Sequence, residues 1–210
     1  MIDPTKSNAR GADLSSLLLN SALAILVLIV LTVTLVQANL ITSSPATISL
    51  HVIIFLLIAL FNLAIRITQA TNLGYEYYYE NSLAFAFLSF IISARFYGFL
   101  PLLYLGGSRI SVDKLGRTGY GDIGPNVDDL SRIASLPLTC NLLVSLASIP
   151  FTLQGNWFIS MTAMLFAAYT AFSAIPWPRS NGFHIFITDT KKTLFYLVSG
   201  VALTVFHAAL

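Results

Sequence analysis

Long apolar runs alternate with short polar stretches along the chain. The runs fall at about 14–37, 48–69, 82–105, 130–152, 157–176 and 193–210. Most reach the roughly 20 residues that a helix needs to cross the ~30 Å hydrocarbon core of a bilayer. Glycine, proline and charge concentrate between the runs, chiefly at 106–129. No Asp, Glu, Lys or Arg occurs from position 14 to position 65, a stretch too long for a soluble core element and long enough for two spans. The pattern predicts an all-α integral membrane protein with a single membrane domain, 1–210. It opens on a polar stretch, 1–13, and is interrupted by a Gly-rich charged loop, 106–129. The first apolar run is too long for a signal-peptide core and lacks a convincing cleavage site, so it reads as a retained span.

Composition agrees. The 210 residues are 56% hydrophobic and 10% charged, with a mean hydropathy of +0.80, against about 25% charged in soluble domains. The net charge is +2 and no basic stretch suggests nucleic-acid binding. The single cysteine, Cys140, excludes an intrachain disulfide.

The distribution of Lys and Arg sets the orientation. Lys6 and Arg10 put the N-terminus in the cytoplasm, and the loop at 38–46 has no basic residue, as an external loop should. Six full crossings would leave Arg109, Lys114, Arg117, Arg179, Lys191 and Lys192 outside. If instead 82–105 enters and leaves on one side, loops 106–129 and 177–192 become cytoplasmic, and the uncharged turn 153–156 becomes external. The segment itself points the same way. Arg95 sits in its middle, ahead of Tyr97, Gly98 and Pro101, a poor sequence for one straight helix. Irregular backbone at membrane depth is tolerated when buried in protein or facing water. The favoured architecture is therefore five transmembrane helices plus one re-entrant hairpin, with six helices as the alternative.

Four local patterns were weighed for chemistry. Residues 119–124 fit G-x-G-x-x-G, but Pro125 follows where a dinucleotide-binding helix would start, so a glycine-rich turn is the reading. Residues 118–122 approach a potassium-filter signature, yet a residue is missing between Thr118 and Gly119 and no apolar pore helix precedes them. Glu76 and Glu80 flank three tyrosines in 74–81, a stretch that suits a membrane interface better than a metal or proton site. His51, His184 and His207 are scattered, and none has a partner at ligand spacing.

Asn62 and Arg66 are more informative. Four residues apart, they share one helix face near the end of an apolar run. Position alone allows a bland account, with Arg66 snorkelling to the headgroups and Asn62 bonding a neighbouring helix. Polar groups inside a membrane helix are costly enough to invite a functional account as well.

Three segments decide how that account is framed. Residues 133–143 read I-A-S-L-P-L-T-C-N-L-L and resemble I-A-x-A-G-P-L-x-N-L-L. Residues 171–182 read A-F-S-A-I-P-W-P-R-S-N-G and resemble L-F-N-L-x-P-x-P-P-L-D-G. Residues 62–75 match in position a helix that carries H-E-x-x-H and runs on to Gly-Tyr, here Gly74-Tyr75. These are the core segments of the site-2 protease family of intramembrane zinc metalloproteases. The chain resembles its small archaeal-type members over roughly residues 48–190.

The resemblance implies a degenerate member with a site-2-protease-like core. The family's two zinc-binding histidines fall on Asn62 and Arg66, its catalytic Glu on Leu63 and its Asp ligand on Asn181. The Asn of its proline helix falls on Cys140 and the neighbouring Gly on Leu136. Asn and Leu supply neither ligand nor proton carrier, and Arg66 puts a fixed positive charge where Zn²⁺ would sit. The implied protein is a non-enzyme without metal or other cofactor. Asn62, Arg66, Asn181 and Asn141 are expected to fill the erased centre with mutual hydrogen bonds, and Arg95 is a further polar intramembrane group. Arg66 is expected beside Asn181, a carbonyl cluster, Glu76 or Glu80.

The expected role is that of a structural or accessory subunit of a larger membrane complex, or of a pseudoprotease that binds transmembrane helices without cutting them. Its expected partners are the lipid bilayer and other integral membrane proteins, with no nucleic acid, in the cytoplasmic membrane of a prokaryote. The rival readings are an active intramembrane zinc protease, a cation channel or transporter, and an accessory subunit of a respiratory or redox complex.

Overall fold

The computed structural model describes residues 45–80, 107–112, 126–177 and 180–209, with the isolated positions Ala22, Leu88 and Ile91. The N-terminal stretch, the first apolar run, most of 82–105 with Arg95, and most of loop 106–129 lie outside the described residues. Helix α1 (Pro45–Asn72) leads into strand β1 (Tyr75–Glu80). Strand β2 (Gly107–Val112) precedes α2 (Val127–Ala147), α3 (Ile149–Leu153), α4 (Trp157–Ala174), α5 (Asn181–Thr188) and α6 (Thr190–Ala209).

Among the described residues, four segments are long and apolar enough to cross a membrane: Ile53–Asn72, Val127–Leu153, Trp157–Ala174 and Thr190–Ala209. They coincide with four of the apolar runs read from the sequence. Their outer surfaces are greasy: Leu57, Leu143, Leu153, Val198 and Val205 are all more than half exposed. Contiguous apolar surface on this scale marks contact with lipid or protein rather than water.

The helix directions follow from the bonds between them. Ser135 and Thr139 of α2 meet Lys192 and Tyr196 of α6, so these two helices run parallel. Ser160 near the start of α4 donates to the carbonyl of His207 at the end of α6, so α4 runs against them. Ile54, Phe55 and Ile58 of α1 share a buried cluster with Met161, Leu165 and Tyr169 of α4, and Asn62 of α1 bonds Asn141 of α2. Tyr75, just beyond the end of α1, donates to Asp129 in the first turn of α2 at 2.6 Å. Hence α1 and α2 are antiparallel, and the chain between them starts and finishes at one end of the bundle.

The all-α expectation needs an amendment. Strands β1 and β2 form a two-stranded antiparallel sheet that pairs Tyr75 with Val112 and Glu80 with Gly107. Gly74, at a φ of 76°, ends α1 in the left-handed region where a side chain is strained. The tyrosines that follow favour a half-buried pleated surface over a helix. Tyr75 and Ile110 bury one face of the sheet against Ala70 and Ile133. The segment 177–192, expected to be a loop, contains α5, whose first turn is capped by the Ser180 hydroxyl accepting from the Phe183 N–H.

Small residues let the central helix approach its neighbours. A Cβ on Gly200 of α6 would stand 2.8 Å from the Ala171 nitrogen of α4. A Cβ on Gly182 would overlap the Ala174 carbonyl, so α5 presses its first turn onto the end of α4. Close backbone approach through Gly and Ala is the usual packing of helices in lipid.

Candidate functional site: a buried polar centre on α1

The buried residues of α1 include Ile54, Ile58, Asn62, Arg66 and Ala70, four apart throughout. That spacing makes one stripe along the helix. Leu57, Leu60, Phe61 and Ile67 face outward instead. The helix thus turns Asn62 and Arg66 in with Ile54 and Ile58, and leaves other large apolar residues outside. Arg66 is 5% exposed and Asn62 fully buried, which removes the snorkelling account of Arg66.

Asn62 and Asn141 bond each other reciprocally across α1 and α2. Asn141 Nδ2 donates to Asn62 Oδ1 at 2.9 Å, and Asn62 Nδ2 donates to Asn141 Oδ1 at 3.3 Å. The second hydrogen of Asn62 Nδ2 goes to the Ile58 carbonyl at 2.7 Å. Each carboxamide therefore satisfies its partner in the buried interior. Such an interhelical bond contributes about 1 kcal/mol in a membrane, while a single unmet polar group there costs about 1–3 kcal/mol. On α2 the buried asparagine is Asn141, and Cys140 beside it is half-buried.

Arg66 is held by phenols. Its guanidinium donates to Tyr169 Oη of α4 at 3.3 Å and to Tyr77 Oη of β1 at 3.4 Å. Both distances lie beyond the usual 2.9–3.0 Å optimum, so neither bond is strong alone. Together they tie α1, the sheet and α4 to one charge. Tyr169 was not singled out in the sequence, and Tyr77 was read as an interface residue. Nothing in their local spacing marks either as a partner of Arg66.

Among the described residues, the other expected site residues, Leu63 and Asn181, make no side-chain hydrogen bond to this centre. Leu63 is half-buried on α1. Asn181 opens α5 and is 4% exposed, and among the described residues its Oδ1 has no hydrogen-bond partner. Ser173 on α4 is buried as well. Among the described residues, no three His, Cys, Asp or Glu side chains gather at metal-binding distance.

A second polar centre, which lies one turn further along α2 from Asn141, gathers around His207. His207 Nε2 stands 3.1 Å from both the carbonyl and the hydroxyl of Ser145, and Nδ1 stands 2.9 Å from Thr152 Oγ1. The Ser145 carbonyl can only accept, so in the neutral ring Nε2 carries the hydrogen and Nδ1 accepts from Thr152. This links the end of α6 to α2 and α3.

Fold and centre together define a helical bundle with membrane-spanning capacity and a buried, hydrogen-bonded polar interior. No protein-family model, curated protein or solved structure matches the chain.

Proposed function

We propose that the protein is a non-catalytic, site-2-protease-like membrane protein. In this reading it serves as an accessory subunit of a membrane complex, or as a pseudoprotease that holds transmembrane helices without cutting them. The observation that carries the reading is the α1 stripe. Asn62 and Arg66 stand where the resemblance puts two metal-binding histidines, and both side chains turn into the bundle. Arg66 there reaches Tyr169 and Tyr77, which occupies with a side-chain cation the role that the family gives to a metal ion. Leu63, in the place of the catalytic Glu, has no proton to move.

The antiparallel α1–α2 pair and the β1–β2 ladder support five spans with a same-side segment over six. A single crossing by 82–105 would make α1 and α2 parallel and would separate Glu80 from Gly107 by the bilayer thickness, about 30 Å. The excess of Lys and Arg in the loops supports a cytoplasmic N-terminus.

Purification in mild detergent, with metal analysis and identification of companions by mass spectrometry, tests the function. A stoichiometric integral membrane partner and no tightly bound zinc are expected. A companion-free monomer carrying zinc overturns the proposal. The resemblance is tested separately by grafting the missing ligands. The variant Asn62→His/Leu63→Glu/Arg66→His/Asn181→Asp should bind one Co²⁺ with a tetrahedral absorption spectrum. A folded variant that binds none would mean that these positions do not converge as the family's do.

A further inference from the structure

The seam between α2 and α6 carries a second polar device, at the end of the bundle where both helices begin. Lys192 does not extend away from the protein. Its Nζ donates to Ser135 Oγ of α2 at 3.2 Å, and Ser135 is itself buried. Ser135 Oγ in turn donates to the carbonyl of Arg132, one turn earlier. One turn further on, Thr139 Oγ1 and Tyr196 Oη are 2.7 Å apart. The seam is thus polar at its end and closes over two helical turns.

Two cations, Arg132 and Lys192, flank this end. Among the described residues, neither forms an ion pair with a carboxylate. Asp189 uses Oδ1 to accept the Lys192 backbone N–H at 3.1 Å, and Asp129 accepts from Tyr75 at 2.6 Å. Asp128 lies in the first turn of α2, where a carboxylate is favoured by the helix dipole. Below the cations the surface turns apolar. Leu136 and Leu143 of α2, and Phe195 and Val198 of α6, are exposed. Cationic side chains between two spans, above a continuous apolar wall, match the two halves of one molecule. The match is a phosphate at the headgroup level with an acyl chain beneath it.

We propose that this seam binds an anionic phospholipid, with Lys192 and Arg132 holding the phosphate and the α2–α6 wall contacting the acyl chain. A neutral zwitterionic lipid carries its own ammonium beside the phosphate and gains less from the two cations. Lys191 shares the α6 face of Phe195 and Val198 but has no bond to α2, so it adds a third, less anchored positive charge.

The test is the thermal stability of the full chain in detergent supplemented with phosphatidylglycerol, with phosphatidylcholine, or with inorganic phosphate. Phosphatidylglycerol should raise the melting temperature by about 4 °C over phosphatidylcholine. Lys192→Gln should lose at least half of that difference, and Lys191→Gln should lose clearly less. Arg132→Gln supplies a second reading should Lys192→Gln melt early in phosphatidylcholine. Inorganic phosphate alone should do nothing. Equal shifts with both lipids, an undiminished shift in both Lys192→Gln and Arg132→Gln, or an equal loss in Lys191→Gln would overturn the proposal. A full effect from inorganic phosphate would replace the lipid with a free anion and overturn it too.

Discussion

The two polar centres of the bundle solve one problem in different ways. Between its elements, the centre on α1 bonds side chain to side chain: Asn62 with Asn141, and Arg66 with Tyr77 and Tyr169. The centre around His207 leans on the backbone as well. Ser160 donates to the His207 carbonyl, and Nε2 meets the Ser145 carbonyl. Side-chain pairs depend on two sequence positions far apart, whereas a carbonyl is present whatever the residue. The α1 centre is therefore the more specific of the two, and the His207 centre the more tolerant of change in its partners. The difference teaches where to look for function. A clasp that any hydroxyl and carbonyl can form suits structural joining of helix ends. A buried charge with chosen partners asks for a further reason.

The largest expected effect falls on the contact that carries the His207 centre, the approach of α6 to α4. Gly200→Leu forces the helices apart, because even a Cβ would stand 2.8 Å from the Ala171 nitrogen. Overpacking of this kind should cost about 3 kcal/mol, read as a lower midpoint in denaturing-detergent titration. A midpoint like that of the native chain would mean that the two helices are not in contact.

A double-mutant cycle then addresses the α1 centre. Asn62→Leu leaves the Asn141 carboxamide buried without its partner and should cost about 2 kcal/mol. Adding Asn141→Leu should recover much of that loss, since no orphaned amide is left. Strictly additive losses would show that the two asparagines do not bond.

The smallest effect belongs to the His207 clasp. Thr152→Val removes one bond to Nδ1 while keeping the side-chain shape, and should cost about 1 kcal/mol. A loss as large as that of Asn62→Leu would reverse the ranking of the two centres.

Much of the architecture was legible as hydropathy. The runs at 48–69, 130–152, 157–176 and 193–210 became helices whose ends moved by a few residues. Lipid-spanning helices announce themselves because each satisfies its backbone within itself, so local composition suffices. The sheet was not legible. Its strands are short, and a Tyr-rich stretch suits a membrane interface and a strand equally well. The inward orientation of Arg66 was not legible either, because a periodic helix tells which residues share a face and not which way the face points.

The sequence by itself determined the mostly helical, apolar character of the described bundle, the placement of its four long apolar helices, and the sharing of one face by Asn62 and Arg66. Those properties depend on residues within a few turns of one another. Tertiary structure alone decided that Asn62 would meet Asn141, 79 positions away, and that Arg66 would meet Tyr169, 103 positions away. It also decided that α1 and α2 would return to one end of the bundle. Partners so distant in the chain are chosen by which helices pack together, and a helix that closes its own hydrogen bonds carries no local record of its neighbours.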